Sequence, residues 1–173
     1  MSMSTHTHIY LTRLDPHHRC AWQWLFHVQH DFAGLLSIMG RGLFTQRLLD
    51  LFTLNGTSSV PDTTGTIGLY SQGNEPSHHL IFWLFRLGGH EPIAYQRLAQ
   101  VAAFYTDKPD GLPGNDDAGQ LSAWYVCAAL GVFPDDPTNA SPAAMLRFRP
   151  IVTSVRRAGT LMAPMWDKRD AFG

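Results

Sequence analysis

Adjacent carboxylates at the mouth of an apolar run are the residues of this chain best suited to chemistry: Gly114-Asn115-Asp116-Asp117-Ala118-Gly119-Gln120. Two neighbouring carboxylates repel, so one is neutralised by a cation or held protonated. Hard oxygen ligands of this kind suit calcium. An ionised carboxylate there can also act as a general base on water. The same residues serve equally as a helix start, with Asn115 or Asp116 as N-cap and the acidic charge favouring the helix dipole. An EF-hand does not match, because its ligand spacing and bidentate Glu are absent.

A second cluster is Tyr70-Ser-Gln-Gly-Asn-Glu-Pro-Ser-His-His79. Asn74, Glu75, His78 and His79 gather polar groups around another helix start, a set suited to sugar hydroxyls. Zinc is disfavoured: the order is not His-Glu-x-x-His, and adjacent histidines on a helix point to different faces. A third cluster, Ala21-Trp22-Gln23-Trp24 followed by His27 and His30-Asp31, offers a flat indole face and an amide. Sugar stacking and ordinary core packing both use such a tryptophan.

The elements that must position these residues are helices. Phe32, Leu35, Leu36 and Met39 recur at helical spacing, with Asp31 in or before the first turn. Gly40 and Gly42 interrupt the pattern, and Leu43, Phe44, Leu48, Leu49 and Leu51 continue it in a second helix. Residues 55–73, dense in Gly, Ser, Thr and Asn, read as a long loop. Pro76 suits the first turn of the next helix, which carries Leu80, Ile81, Trp83, Leu84 and Leu87 and stops at Gly88-Gly89. Pro92 opens another, and a turn-rich loop over 107–117 leads into a last helix from Gly119 to Leu130, ended by Gly131 and Pro134. Strands are expected only after Met145, where Leu146-Arg-Phe-Arg and Ile151-Val-Thr-Ser-Val alternate weakly. The expected fold class is all-α, with helices in pairs.

Composition narrows the function classes. The 173 residues are 45% hydrophobic and 16% charged, which suits a globular core. A net charge of -1 lacks the concentrated basic surface that nucleic-acid binding requires. No apolar run approaches a membrane span. The two cysteines, Cys20 and Cys127, are too few for a disulfide scaffold. The first residues have neither the basic start nor the apolar run of a signal peptide.

Taken in order, Trp22-Gln23 with His30-Asp31-Phe-Ala-Gly-Leu35, Gly73-Asn-Glu-Pro-Ser-His-His79 and Gly111-Leu-Pro-Gly-Asn-Asp-Asp-Ala-Gly-Gln-Leu-Ser-Ala-Trp-Tyr-Val126 resemble the family 92 glycoside hydrolases. The resemblance implies a calcium-dependent exo-α-mannosidase that inverts the anomeric carbon and removes terminal mannose, α-1,2-linked by preference, from mannose-containing glycans. It implies a partial (α/α) toroid of helical hairpins over residues 21–137, flanked by an irregular 1–20 and a divergent 138–173. A β-sandwich domain would precede it in a longer parent, and such relatives are secreted or periplasmic. Asp117 then becomes the base, with Asp116 and Asn115 beside it. Asn74 and Asp117 would approach calcium, and Trp22, Gln23, Glu75, His78 and His79 would line the mannose pocket.

Two departures accompany the resemblance. The family carries Glu-Gly-Asn before the equivalent of Ala21, and that Glu is the expected general acid; this chain has His18-Arg19-Cys20. Beyond Pro134 the Arg-rich run through Arg149, Arg156 and Arg157 does not follow the family pattern. Two further readings are therefore carried forward. One is a remnant that binds mannose or calcium without turnover; the other is a helical interaction protein with exposed apolar faces.

Overall fold

A computed structural model describes residues 19–55, 63–134, 136–139, 141 and 145–151, and the backbone of 155–157 and 160–162. His18, the residue standing where an acid is expected, lies outside the described residues.

Helix follows helix, as the apolar spacing demands. They are α1 (Arg19–Trp24), α2 (Phe32–Met39), α3 (Arg41–Leu51), α4 (Leu80–Leu87), α5 (Glu91–Ala102) and α6 (Gln120–Leu130). Asp31 caps α2 by accepting a hydrogen bond from Gly34 N at 2.8 Å, which satisfies one of the orphan donors of the first turn. Gly42 does not interrupt: α3 begins at Arg41 and runs through it, so Gly40 alone separates the two helices. Around Pro76 the chain forms only a 3-10 turn, Glu75–Ser77, before α4 begins at Leu80.

Strands come earlier than the alternation after Met145 suggests. Within the expected loop, β1 (Thr66–Ile67) and β2 (Tyr70–Ser71) pair antiparallel, with Thr66 opposite Ser71 and Ile67 opposite Tyr70. Two-residue strands are too short to leave a period in the sequence. This hairpin rests on the end of α3: Leu69 N donates to Leu51 O at 2.7 Å. A Cβ on Gly68, whose φ is +61°, would lie 2.7 Å from the Phe52 carbonyl carbon. After α6, β3 (Val132–Pro134) pairs antiparallel with β4 (Met145–Arg147). Phe133 stacks on Phe82 at 3.8 Å and Phe148 on Phe85 at 5.1 Å, so the stretch from Met145 to Phe148 is fastened to α4. A last pair, β5 (Val155–Arg157) and β6 (Thr160–Met162), is also antiparallel. The chain is thus mostly helical with a few small strands, rather than purely α.

The core is aromatic and centres on α4. Phe26, Phe32, Phe44 and Trp83 pack ring against ring, with centroids 5.1–6.2 Å from Trp83. The mixture of edge-to-face and tilted contacts is the arrangement ring quadrupoles favour. Among the described residues, no helix is long and apolar enough to cross a membrane.

Candidate functional site

Gln23, on the buried face of α1, begins the site. Its Nε2 donates to Leu69 O at 2.9 Å, and its Oε1 accepts from Asn74 Nδ2 at 2.6 Å. The first and second motifs therefore meet, although 51 positions separate the partners. The second and third meet through glycine. A Cβ at Gly114 would lie 2.8 Å from Gly73 Cα, and one at Gly73 would lie 2.0 Å from Thr64 Oγ1. Only two hydrogen-faced residues let these loops touch. They bring the Asn74-Glu75 turn and the Asn115-Asp116-Asp117 turn to one place.

His78 joins the same two turns more firmly. Its Nε2 faces Gln72 O at 2.8 Å, and its Nδ1 faces Gln120 Nε2 at 3.1 Å. A carbonyl oxygen only accepts, so Nε2 carries the proton and Nδ1 accepts from the amide. Both ring nitrogens are thus occupied within the chain. Burial lowers the His78 pKa, partly offset by the Gln72 carbonyl and the nearby Asp117 charge. His79 turns the other way, into the core. Its Nε2 donates to Phe26 O at 2.8 Å, and its ring meets Trp83 edge-on at 4.5 Å. The two adjacent histidines point different ways, although they lie in the turn between the 3-10 segment and α4 and not within a helix.

The residues expected to line a mannose pocket are therefore placed unevenly. Trp22, Gln23, His78 and His79 are each 4% exposed or less, and Arg47 covers the Trp22 ring at 4.9 Å. In this structure they shape the site from beneath instead of presenting surface to a sugar. Asn74 and Glu75 are half-buried. Trp24, one residue past Gln23, is the exposed indole of that motif at 56%, set edge-on to His27.

His79 carries a pH consequence. Burial, more than its histidine neighbours, pushes its pKa down to about 3 from 6.5. The folded chain therefore binds fewer protons than the unfolded chain between those values, and stability is lost as pH falls through that window. Urea midpoints measured from pH 7 to pH 3 should decline steadily from about pH 6.5. His79→Gln should flatten the upper part of the slope; an unchanged slope would assign it to other groups.

The acidic turn is shaped by strain. Asp117 and Ala118 have φ of 45° and 58°, and Gly119 follows at 95°. Left-handed backbone costs a non-glycine residue roughly 1–2 kcal/mol, so surrounding bonds must hold it. Asp116 does much of that: its Oδ1 accepts from Ser122 N at 3.0 Å and Ser122 Oγ at 2.9 Å. The N-cap of α6 is Gly119, so neither Asn115 nor Asp116 holds the cap position expected of it; Asp116 reaches past Gly119 to the N–H of Ser122. Asp117 and Asn115 are exposed, and Asp117 is the carboxylate turned outward.

Calcium tests this arrangement on its donors. The Asn74 amide nitrogen is spent on Gln23, leaving Oδ1 for other partners, and Asp117 offers its carboxylate. Calcium takes six to eight oxygens. Among the described residues, no group of three or more His, Cys, Asp or Glu is arranged to hold an ion. Asn74 Oδ1 and the Asp117 carboxylate are hard oxygen donors of the kind calcium takes.

Several residues to which the motifs assign no role of their own tie the site together. Tyr70 OH donates to Gln72 Oε1, Gln72 Nε2 donates to Tyr105 OH at 2.7 Å, and Tyr105 OH donates to Leu121 O at 3.2 Å. Trp124 Nε1 donates to His78 O at 2.9 Å. Burial pushes the Tyr105 pKa up to about 12 and raises that of Tyr70 well above its ordinary value. Polar residues amid apolar neighbours were the available signal, since buried polar groups need partners.

The model of the glycosyl hydrolase family 92 catalytic domain matches residues 12–156, reaching upstream of Ala21 and beyond Pro137. A protein of Arthroderma benhamiae described as an uncharacterized secreted glycosidase is 30% identical over 120 residues, covering 68% of this chain and 14% of that protein. A solved family GH92 alpha-mannosidase of Bacteroides thetaiotaomicron superposes with a TM-score of 0.67 at 31% identity, covering 77% of this chain and 17% of that one. A structure of that mannosidase in complex with mannoimidazole gives a TM-score of 0.66 at 35% identity, covering 77% and 18%. The chain spans less than a fifth of the length of these relatives.

Proposed function

This chain belongs to glycosyl hydrolase family 92, and from that membership we propose that it carries the base side of an α-mannosidase site. The substrate is a glycan with terminal α-linked mannose, α-1,2-linked by preference, and the fold is part of an (α/α) toroid preceded in a longer parent by a β-sandwich. What supports the reading is the meeting of separated motifs: Gln23 with Asn74, Gly73 with Gly114, and His78 with Gln120.

In this reading the Asp117 carboxylate takes a proton from water as that water attacks the anomeric carbon, and the glycosidic bond breaks on the opposite face, its oxygen taking a proton from a general acid whose place in this chain is held by His18. Inverting hydrolysis needs its two carboxyl groups roughly 6.5–9.5 Å apart, so that water fits between base and sugar. An outward-facing carboxylate suits that task. Asp116 keeps the turn in shape, and Asn115 and Glu75 stand beside it for hydroxyl recognition. Asn74 and Asp117, with further oxygens, would hold a calcium ion, which would supply a hard cation for sugar hydroxyls. The relative that supports mannose as the sugar is the one solved with mannoimidazole.

A second reading is favoured by one observation, His18-Arg19-Cys20 in place of the expected Glu-Gly-Asn. Without the acid, the chain binds mannose or calcium and does not turn over. Mannose release from an α-1,2-mannobioside, with and without a chelator, separates the two readings. Release that the chelator abolishes supports the enzyme. Saturable calorimetric binding without release supports the remnant, and neither heat nor release removes both.

A further inference from the structure

We propose that Gln120 is a positioning residue: its amide, bound to His78, holds the first turn of α6 and the left-handed run before it, and so aims the Asp117 carboxylate. The proposal rests on the reading of Asp117 as the base.

A ring of hydrogen bonds, closed through the covalent frames of Gln72 and of Gln120–Leu121, links α6 to the Gln72–His78 segment. Gln120 Nε2 donates to His78 Nδ1, and His78 Nε2 donates to the Gln72 carbonyl. The Gln72 amide donates to Tyr105 OH, and Tyr105 OH donates to Leu121 O, the residue next to Gln120. Each member gives and accepts in a consistent sense, so no buried polar atom of the ring is wasted. Trp124, one turn beyond Gln120 and on the same helix face, donates to the His78 carbonyl. Two successive turns of α6 thus grip one residue of the Glu75–His79 turn.

What this grip restrains is the strained segment. Asp117, Ala118 and Gly119 all have positive φ, and a left-handed alanine persists only where its neighbours over-determine it. Upstream, Asp116 is tied to Ser122. Downstream, Gln120 is tied to His78. Asp117 lies between the two ties, with its charge acting on the His78 ring. Loss of the downstream tie leaves His78 Nδ1 unsatisfied and lets Ala118 relax toward right-handed backbone.

The test uses the full 173-residue chain with Gln120→Met, which keeps length and removes the donor. The readout is the pair of Cα and Cβ NMR shifts at Asp117 and Ala118, which report left-handed backbone. Loss of that signature in a variant that still folds is the expected result, and a retained signature overturns the proposal. Should the Met variant fail to fold, Gln120→Asn, too short to reach Nδ1, decides by the same shifts. On mannoside hydrolysis, kcat should fall about 100-fold with KM little changed, the cost of a misplaced reacting group. A wild-type chain that releases no mannose refutes the reading of Asp117 as base in this chain, while the shifts still decide what Gln120 does.

Discussion

Asp117→Asn is expected to lower mannose release by about 10²–10⁴-fold, the usual contribution of a positioned general base. The asparagine keeps the side chain's size and tolerates the left-handed backbone that Asp117 adopts at φ 45°. What it lacks is an ionised oxygen to take a proton from water. Asp117→Gly sharpens the test, because it separates chemistry from strain. Glycine adopts positive φ without steric cost, so this variant should lose the same activity while melting no lower than the parent. Relief of left-handed strain is worth about 1 kcal/mol, which for a chain of this size moves the melting temperature up by roughly 2–4 °C. Loss of activity with gained or equal stability marks a residue kept for function at the expense of the fold. A wild-type rate in Asp117→Asn would remove Asp117 from the chemistry.

How much of this was legible in the sequence divides along the range of the interactions. Local signals read well. Asp31 before an apolar run gave a cap, and Leu80 to Leu87 gave a helix stopped by Gly88. Long-range placement read poorly. Nothing in the order of residues shows that Gln23 meets Asn74, or that Gly73 and Gly114 touch through their missing side chains. By type the histidines and Trp22 suit the walls of a sugar pocket, yet within this chain they are buried. Type alone does not tell a residue that contacts a ligand from one that supports the contact. The short strands escaped for another reason: Thr66-Ile67 and Tyr70-Ser71 hold too few residues for a period. Motif resemblance succeeded where periodicity failed, because it carries three-dimensional convergence that local pattern does not encode.

That convergence depends on the core beneath it, and Trp83→Ala should expose the dependence. Trp83 is 1% exposed and is met by Phe26, Phe32, Phe44 and His79. Truncating a buried tryptophan to alanine costs about 3–5 kcal/mol through lost transfer energy and the cavity left behind. Against a total stability of typically 5–15 kcal/mol, the variant should melt roughly 6–20 °C lower or not fold at all. The damage should also reach the site. His79 leans on the Trp83 ring and bonds to Phe26 O, while its neighbour His78 holds Gln72 and Gln120. A collapsed Trp83 cavity lets the Glu75–His79 turn shift and loosens the turn that carries Asp117. Trp83→Phe keeps a ring in place and should cost about 1–2 kcal/mol, with site geometry retained. Thermal melts of the three proteins check the order. A loss below about 1 kcal/mol in Trp83→Ala, small for a buried aromatic, would mean that the aromatic cluster does not hold the site's supporting turn.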